Sequence, residues 1–193
     1  MLKRIAAFII IAFIGGSALS KGTAESGEEK PVTRYVNCDF GYVVQVPHKL
    51  IGRVPAYSSH GFRIDLPDGK SIIEIYNAFN MSESTSFSDI VRYELERRAE
   101  GKANWRIINR RVGQTKGLES TEITATYASK SEAWKAEALI VYRPTRTDDL
   151  GNIVYVLELS SPAALYDNAL EKFNETVGGF QLTDLPRGPC SNH

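Results

Sequence analysis

The chain has 193 residues, 42% hydrophobic and 24% charged, with 23 basic and 23 acidic side chains. These are the proportions of a soluble globular domain, and they exclude disordered, collagenous and coiled-coil chains. No fixed-period repeat or long low-complexity tract divides it, so one domain is expected.

Residues 1–24, "MLKRIAAFIIIAFIGGSALSKGTA", place Lys3 and Arg4 ahead of an apolar run over 5–14, followed by the small residues Gly15, Gly16, Ser17 and Ala18. That is the pattern of an export signal. The run is about half of the roughly 20 residues a membrane helix needs, so a permanent anchor is the weaker alternative and no stable insertion is expected after cleavage. Cleavage is expected after Ser20 or after Ala24, and no cysteine follows the apolar run to carry a lipid. Loss of residues 1–24 removes Lys3, Arg4 and Lys21 and no acids, leaving a formal charge of −3. Bulk attraction to nucleic acid or anionic lipid is therefore not expected.

Residues 25–34, "ESGEEKPVTR", read as a flexible polar leader, and the globular domain is expected over 35–193. "FGYVVQVP" (40–47) is short, rich in valine and aromatic residues, and ends in proline, as a strand does. "GFRIDLPDGKSIIEIYNAF" (61–79) alternates Phe62, Ile64 and Leu66 with Arg63 and Asp65, then turns back at Pro67-Asp68-Gly69, which predicts a hairpin. In "SFSDIVRYELERRAEG" (86–101), Phe87, Ile90, Val91 and Leu95 recur at three- and four-residue steps, an amphipathic helix with Ser86 or Ser88 at its start and Gly101 at its end. Strands follow at "WRIINRRV", "LESTEITATYA", "AWKAEALIVYRP" and "IVYVLELS". A second helix is predicted over "SPAALYDNALEKFNETVGG", capped by Ser161 with Pro162 in its first turn, and a short "FQL" strand follows. Strands joined by turns and flanked by helices predict an α+β fold, an antiparallel β-sheet with two main helices packed on it.

In an oxidising compartment the two cysteines, Cys38 and Cys190, are most simply one disulfide tying the ends of the domain. In the chain-entropy picture so long a loop contributes roughly 4 to 5 kcal/mol. Two buried thiols or a metal pair are the alternatives, and the metal reading lacks a tightly spaced ligand cluster.

The opening strand "GYVVQVP" and the closing "YVLELSSPAALYDNALEKFNETVGGFQL" resemble the first strand and the final strand, helix and "F-x-L" ending of the Mog1/PsbP-like α-β-α sandwich family. The resemblance covers about residues 40–182. It implies a mostly non-catalytic accessory or binding domain, as in photosystem subunits, a GTPase-binding factor and bacterial envelope proteins. It carries over no functional residue.

Chemistry is thin. His60 follows Ser58 and Ser59 and precedes Asp65, but alternation along a strand sends His60 and Asp65 to opposite faces, and no G-x-S-x-G is present. A small exported hydrolase using His60 is the alternative to a binding protein. His48 and His193 have no ligand partner at short spacing, Asp148 and Asp149 fall in a predicted loop, and no phosphate-binding glycine motif occurs, so no metal or cofactor is expected. The strongest anomaly is the segment 92–116, with eight cationic residues against Glu94, Glu96 and Glu100, a local charge of +5. Arg97, Arg98, Arg110 and Arg111 are its expected partner-binding residues, on a rim that steers an acidic envelope protein. An inhibitor or immunity role is one concrete form of that reading.

Overall fold

The computed structural model describes residues 30–54, 61–80, 86–145 and 152–184. The export signal, His60, Asp148, Asp149, Cys190 and His193 lie outside them.

Among the described residues eleven strands and two helices follow one another: β1 (Lys30–Val32), β2 (Arg34–Asn37), β3 (Tyr42–Gln45), β4 (Gly52–Val54), β5 (Gly61–Asp65), β6 (Ile72–Asn80), α1 (Phe87–Ala99), β7 (Ala103–Thr115), β8 (Leu118–Ser129), β9 (Glu132–Arg143), β10 (Asn152–Pro162), α2 (Tyr166–Gly179) and β11 (Phe180–Leu182). An eight-stranded sheet runs β1-β4-β5-β6-β10-β9-β8-β7, and a three-stranded sheet runs β11-β3-β2. Every described pairing is antiparallel.

Alternation along the strands builds two cores. Ile73, Ile75, Leu139, Val141, Ile153, Tyr155, Leu157 and Leu159 face the small sheet and α2, which contribute Tyr42, Val44, Phe180, Tyr166, Ala169 and Phe173. The residues between them, Ile123, Ile140, Val154 and Val156, face α1 through Ile90 and Val91. Strand β10 is the axis of the fold, buried on both faces from Ile153 to Leu159. The small sheet is joined to it by polar bonds as well as by packing. The Tyr155 hydroxyl donates to the Phe40 carbonyl at 2.6 Å, and Arg143 Nη1 donates to the carbonyls of Gly41 at 3.2 Å and Thr183 at 2.8 Å.

The turns follow their chemistry. Asp68 Oδ1 accepts from the N–H groups of Lys70 and Ser71 at 2.7 and 2.6 Å, closing the β5–β6 hairpin, and Gly69 takes the left-handed conformation with φ of 69°. Lys116-Gly117 and Lys130-Ser131 each join paired strand ends with both residues at positive φ, the twist a two-residue hairpin favours; the second does so without glycine.

Three departures from the sequence reading have physical causes. Residues 30–34, placed in the leader, lie in β1 and the start of β2, and β4 was likewise unforeseen. These strands have three or four residues, too few for an alternation to register, and their pairing with β4 and β3 holds them. Helix α2 begins at Tyr166, not at Pro162, because β10 continues pairing through Pro162 opposite Trp134, and the buried Ser161 hydroxyl bonds Ser71 at 2.8 Å instead of capping a helix. The sandwich is also richer in strands than foreseen, with a second sheet covering the first.

Adjacent glycines at the end of α2 give a paired test. A Cβ on Gly179 would stand 2.8 Å from the Gln45 carbonyl oxygen, whereas one on Gly178 meets nothing within 4 Å. Gly179→Ala is expected to lower stability by about 1–3 kcal/mol and Gly178→Ala to raise it by about 0.5 kcal/mol, both read from urea midpoints.

Candidate functional site

The apolar stripe of α1 does not stop at Leu95. Positions 87, 90, 91, 94, 95 and 98 continue one helical face, so Glu94 and Arg98 are carried under the helix and onto the sheet. Arg98 is 4% exposed. Its Nη1 lies 3.0 Å from Glu94 Oε2 and donates to the Glu94 carbonyl at 2.7 Å, while Nε stands 2.9 Å from Glu158 Oε2 of β10 and Nη2 bonds the Tyr76 hydroxyl of β6. Lys102 Nζ reaches Glu158 Oε1 at 3.3 Å. The exposed Arg97 lies 3.2 Å from Glu94, with its guanidinium 4.7 Å from the Tyr76 ring centre. Burial pushes the Tyr76 hydroxyl far above its ordinary range; Arg98 opposes that rise and the Glu158 and Glu94 carboxylates add to it. The phenol is therefore a permanent proton holder, and the cluster fastens α1 to β6 and β10.

The four arginines of the expected rim do not converge. Arg98 is removed from the surface, because the helical period places it beneath α1. Arg97 lies on the exposed side of the same helix. Arg110 and Arg111 are exposed on β7 but on opposite faces: Arg110 is opposite Ile123, whose side chain belongs to the α1 core, and Arg111 is opposite Glu122, with an ion pair at 2.5 Å, beside α2. What joins them is the strand. β7 is the last strand of the large sheet, thirteen residues long, and only Trp105 and Thr115 are even half-buried. It carries Arg106, Arg110 and Arg111, no acid, and the exposed apolar side chains of Ile107, Ile108 and Val112, the last 72% exposed.

Two hollows adjoin these elements. One, about 250 Å³, lies between α2 and the sheet, with Leu139, Leu170, Phe173 and Val177 inside and Arg111 and Glu137 at its mouth. There Glu137 Oε2 accepts from the Tyr166 hydroxyl at 2.7 Å. The other, about 310 Å³, lies beyond the C-terminal end of α1, among Glu74, Lys102, Tyr127, Trp134 and Glu158. Neither brings a described imidazole to a hydroxyl and a carboxylate. His48 is exposed in the turn after β3, and among the described residues no group of three or more His, Cys, Asp or Glu side chains is placed to hold a metal. No described cysteine is a free thiol.

With this architecture in hand, comparison with solved structures is decisive for the fold. The solution structure of cyanobacterial PsbP from Synechocystis superposes with a TM-score of 0.56 at 15% identity, covering 86% of this chain and 99% of that one. The crystal structure of LpqN of Mycobacterium tuberculosis, a protein involved in cell envelope biogenesis, gives a TM-score of 0.55 at 13% identity, covering 81% and 91%. The chain has the Mog1/PsbP-like fold. No family model matches it, and no curated protein does. Within this Mog1/PsbP-like sandwich, no helix among the described residues is long and apolar enough to cross a membrane.

Arg97 and Arg98 are neighbours with opposite fates, which makes them a test of the buried cluster. Arg98→Met leaves Glu94 and Glu158 without their shared cation and is expected to cost about 3–5 kcal/mol, whereas Arg97→Ala is expected to cost about 1 kcal/mol or less. Denaturant unfolding of the two variants checks this.

Proposed function

We propose that this protein is an exported, non-catalytic accessory domain that docks through β7 onto an acidic segment of a partner protein in the bacterial envelope. The observation that carries the reading is the character of β7: an edge strand exposed at every position but Trp105 and Thr115, with three arginines, no acid and three exposed apolar side chains. An edge of this kind offers unpaired backbone groups to an incoming strand. Its charge selects an acidic one, against a mature chain whose expected net charge is −3. Arg97 extends the positive field from α1. The export signal supports placement in the envelope or outside the cell, and the fold shared with LpqN fits an envelope role. The dispersed polar groups and the all-structural use of Glu94, Arg98 and Glu158 favour binding over catalysis.

Reversal of Arg110 and Arg111 to glutamate tests the docking strand. The wild-type protein is expected to retain its partner in pull-downs from envelope extracts, and the reversed variant to lose it with a melting temperature lowered by no more than about 4 °C, the cost of opposing Glu122 with a like charge. Equal recovery of the partner by both proteins sinks the assignment to β7.

The expected Cys38–Cys190 bond belongs to the same reading, since it suits an oxidising compartment. Alkylation of the unfolded, unreduced protein is expected to leave its mass unchanged, and reduction to lower stability by about 4 kcal/mol or less. Two alkylated cysteines without prior reduction would show the pairing to be wrong.

A further inference from the structure

Both tryptophans of the chain stand at one end of the large sheet. Trp105 of β7, Tyr127 of β8 and Trp134 of β9 form a row of rings, with centres 5.9 Å and 6.0 Å apart. Tyr127 and Trp134 form part of the wall of the 310 Å³ hollow, with Glu74, Lys102, Glu158 and Ser160. The α1 helix ends just before Gly101 and Lys102, so the negative pole of its backbone dipole lies at the same place.

The molecule already shows what this environment accepts. The Lys102 ammonium lies 4.9 Å from the centres of both the Trp105 and Tyr127 rings and 3.3 Å from Glu158. Aromatic faces attract cations through the ring quadrupole, and a carboxylate and a helix C-terminus add to that attraction. Of the charged residues that line the hollow, Glu74 and Glu158 are carboxylates and Lys102 is the one cation, paired with Glu158. Arg63, opposite Glu74 on β5, is bonded to Asp65. Glu74 is exposed on β6 and has no ion pair among the described residues, and no lysine or arginine there lies over the Trp134 ring. The lining of the hollow thus carries one carboxylate more than its cations, beside the ring of Trp134.

We propose that this hollow binds a small organic ammonium ion, seated on Trp134 and against Glu74, beside the tethered ammonium of Lys102. The site is separate from the arginines of β7, so it stands or falls independently of the docking strand. The chemistry recognised is a compact cationic nitrogen, whether a free amine or the choline headgroup of a lipid.

Because both tryptophans are close to the hollow, intrinsic fluorescence reports on its occupancy. Tetramethylammonium chloride, titrated at an ionic strength held constant with sodium chloride, is expected to give a saturable change, and tert-butanol, the uncharged molecule of like shape, none. Glu74→Gln, at an exposed position that leaves the fold intact, is expected to weaken binding about tenfold. Trp134→Phe is expected to weaken it less, and Trp105 still reports. Vesicles of phosphatidylcholine, compared with phosphatidylglycerol, separate the sources: binding to the former identifies a headgroup, and response to soluble cations alone identifies a free ligand. No saturable change with either the soluble cation or phosphatidylcholine, an equal response to tert-butanol, or unchanged affinity in Glu74→Gln overturns the proposal.

Discussion

The structure depends on a charge carried where charges are costly. Arg98 sits between α1 and the sheet with its guanidinium shared by Glu94 of its own helix, Glu158 of the central strand and the hydroxyl of Tyr76. Its three nitrogens meet three different elements, Nη1 and Nη2 as donors to α1 and β6 and Nε as an ion-pair contact with β10, which a point charge could not do. The apolar contacts of Ile90 and Val91 give α1 its adhesion, but they tolerate sliding. The fork of Arg98 does not, since a shift by one turn would take the guanidinium away from both Glu158 and the Tyr76 hydroxyl in a buried layer. Stability here is secondary; the cluster specifies the seat and the rotation of the helix, as buried polar groups do in some other folds.

That seat determines what remains open. Helix α1 covers the middle of one face, and α2 with the small sheet covers the other, so the cover runs out before β7. A strand left beyond both layers cannot be buried, and its composition follows from that: arginines along it, and register shifts near residues 103–109 where the ladder is irregular. Both features are known ways to discourage indiscriminate pairing at an edge. They also leave a strand whose charge is of one sign, the property on which the proposed docking rests. Under that proposal, protection against aggregation and selectivity in docking are the same property viewed from two sides.

Much of this was legible from residue patterns, and the failures are instructive. The strand at "AWKAEALIVYRP" (133–144), which is β9, and the Pro67-Asp68-Gly69 turn were read from their residues, because each signal is local. The three-residue strands β1 and β4 carry no such signal and exist through their pairing. Arg98 was misread because its charge was given more weight than its spacing; the period of α1 already placed it on the inner face. Arg110 and Arg111 were taken as one patch since they are adjacent, yet adjacency on a strand means opposite faces. The row formed by Trp105, Tyr127 and Trp134 joins three strands whose registers no periodicity reveals.

The order of strands has one more consequence. Lys30 enters the large sheet in β1, at the edge opposite β7, with six strands between them. At about 4.8 Å per strand the two edges are roughly 34 Å apart. A label, surface linkage or fusion joined ahead of Lys30 therefore attaches to the far side of the sheet from its arginine-bearing border. Immobilisation by that side leaves the arginine-bearing edge facing solution.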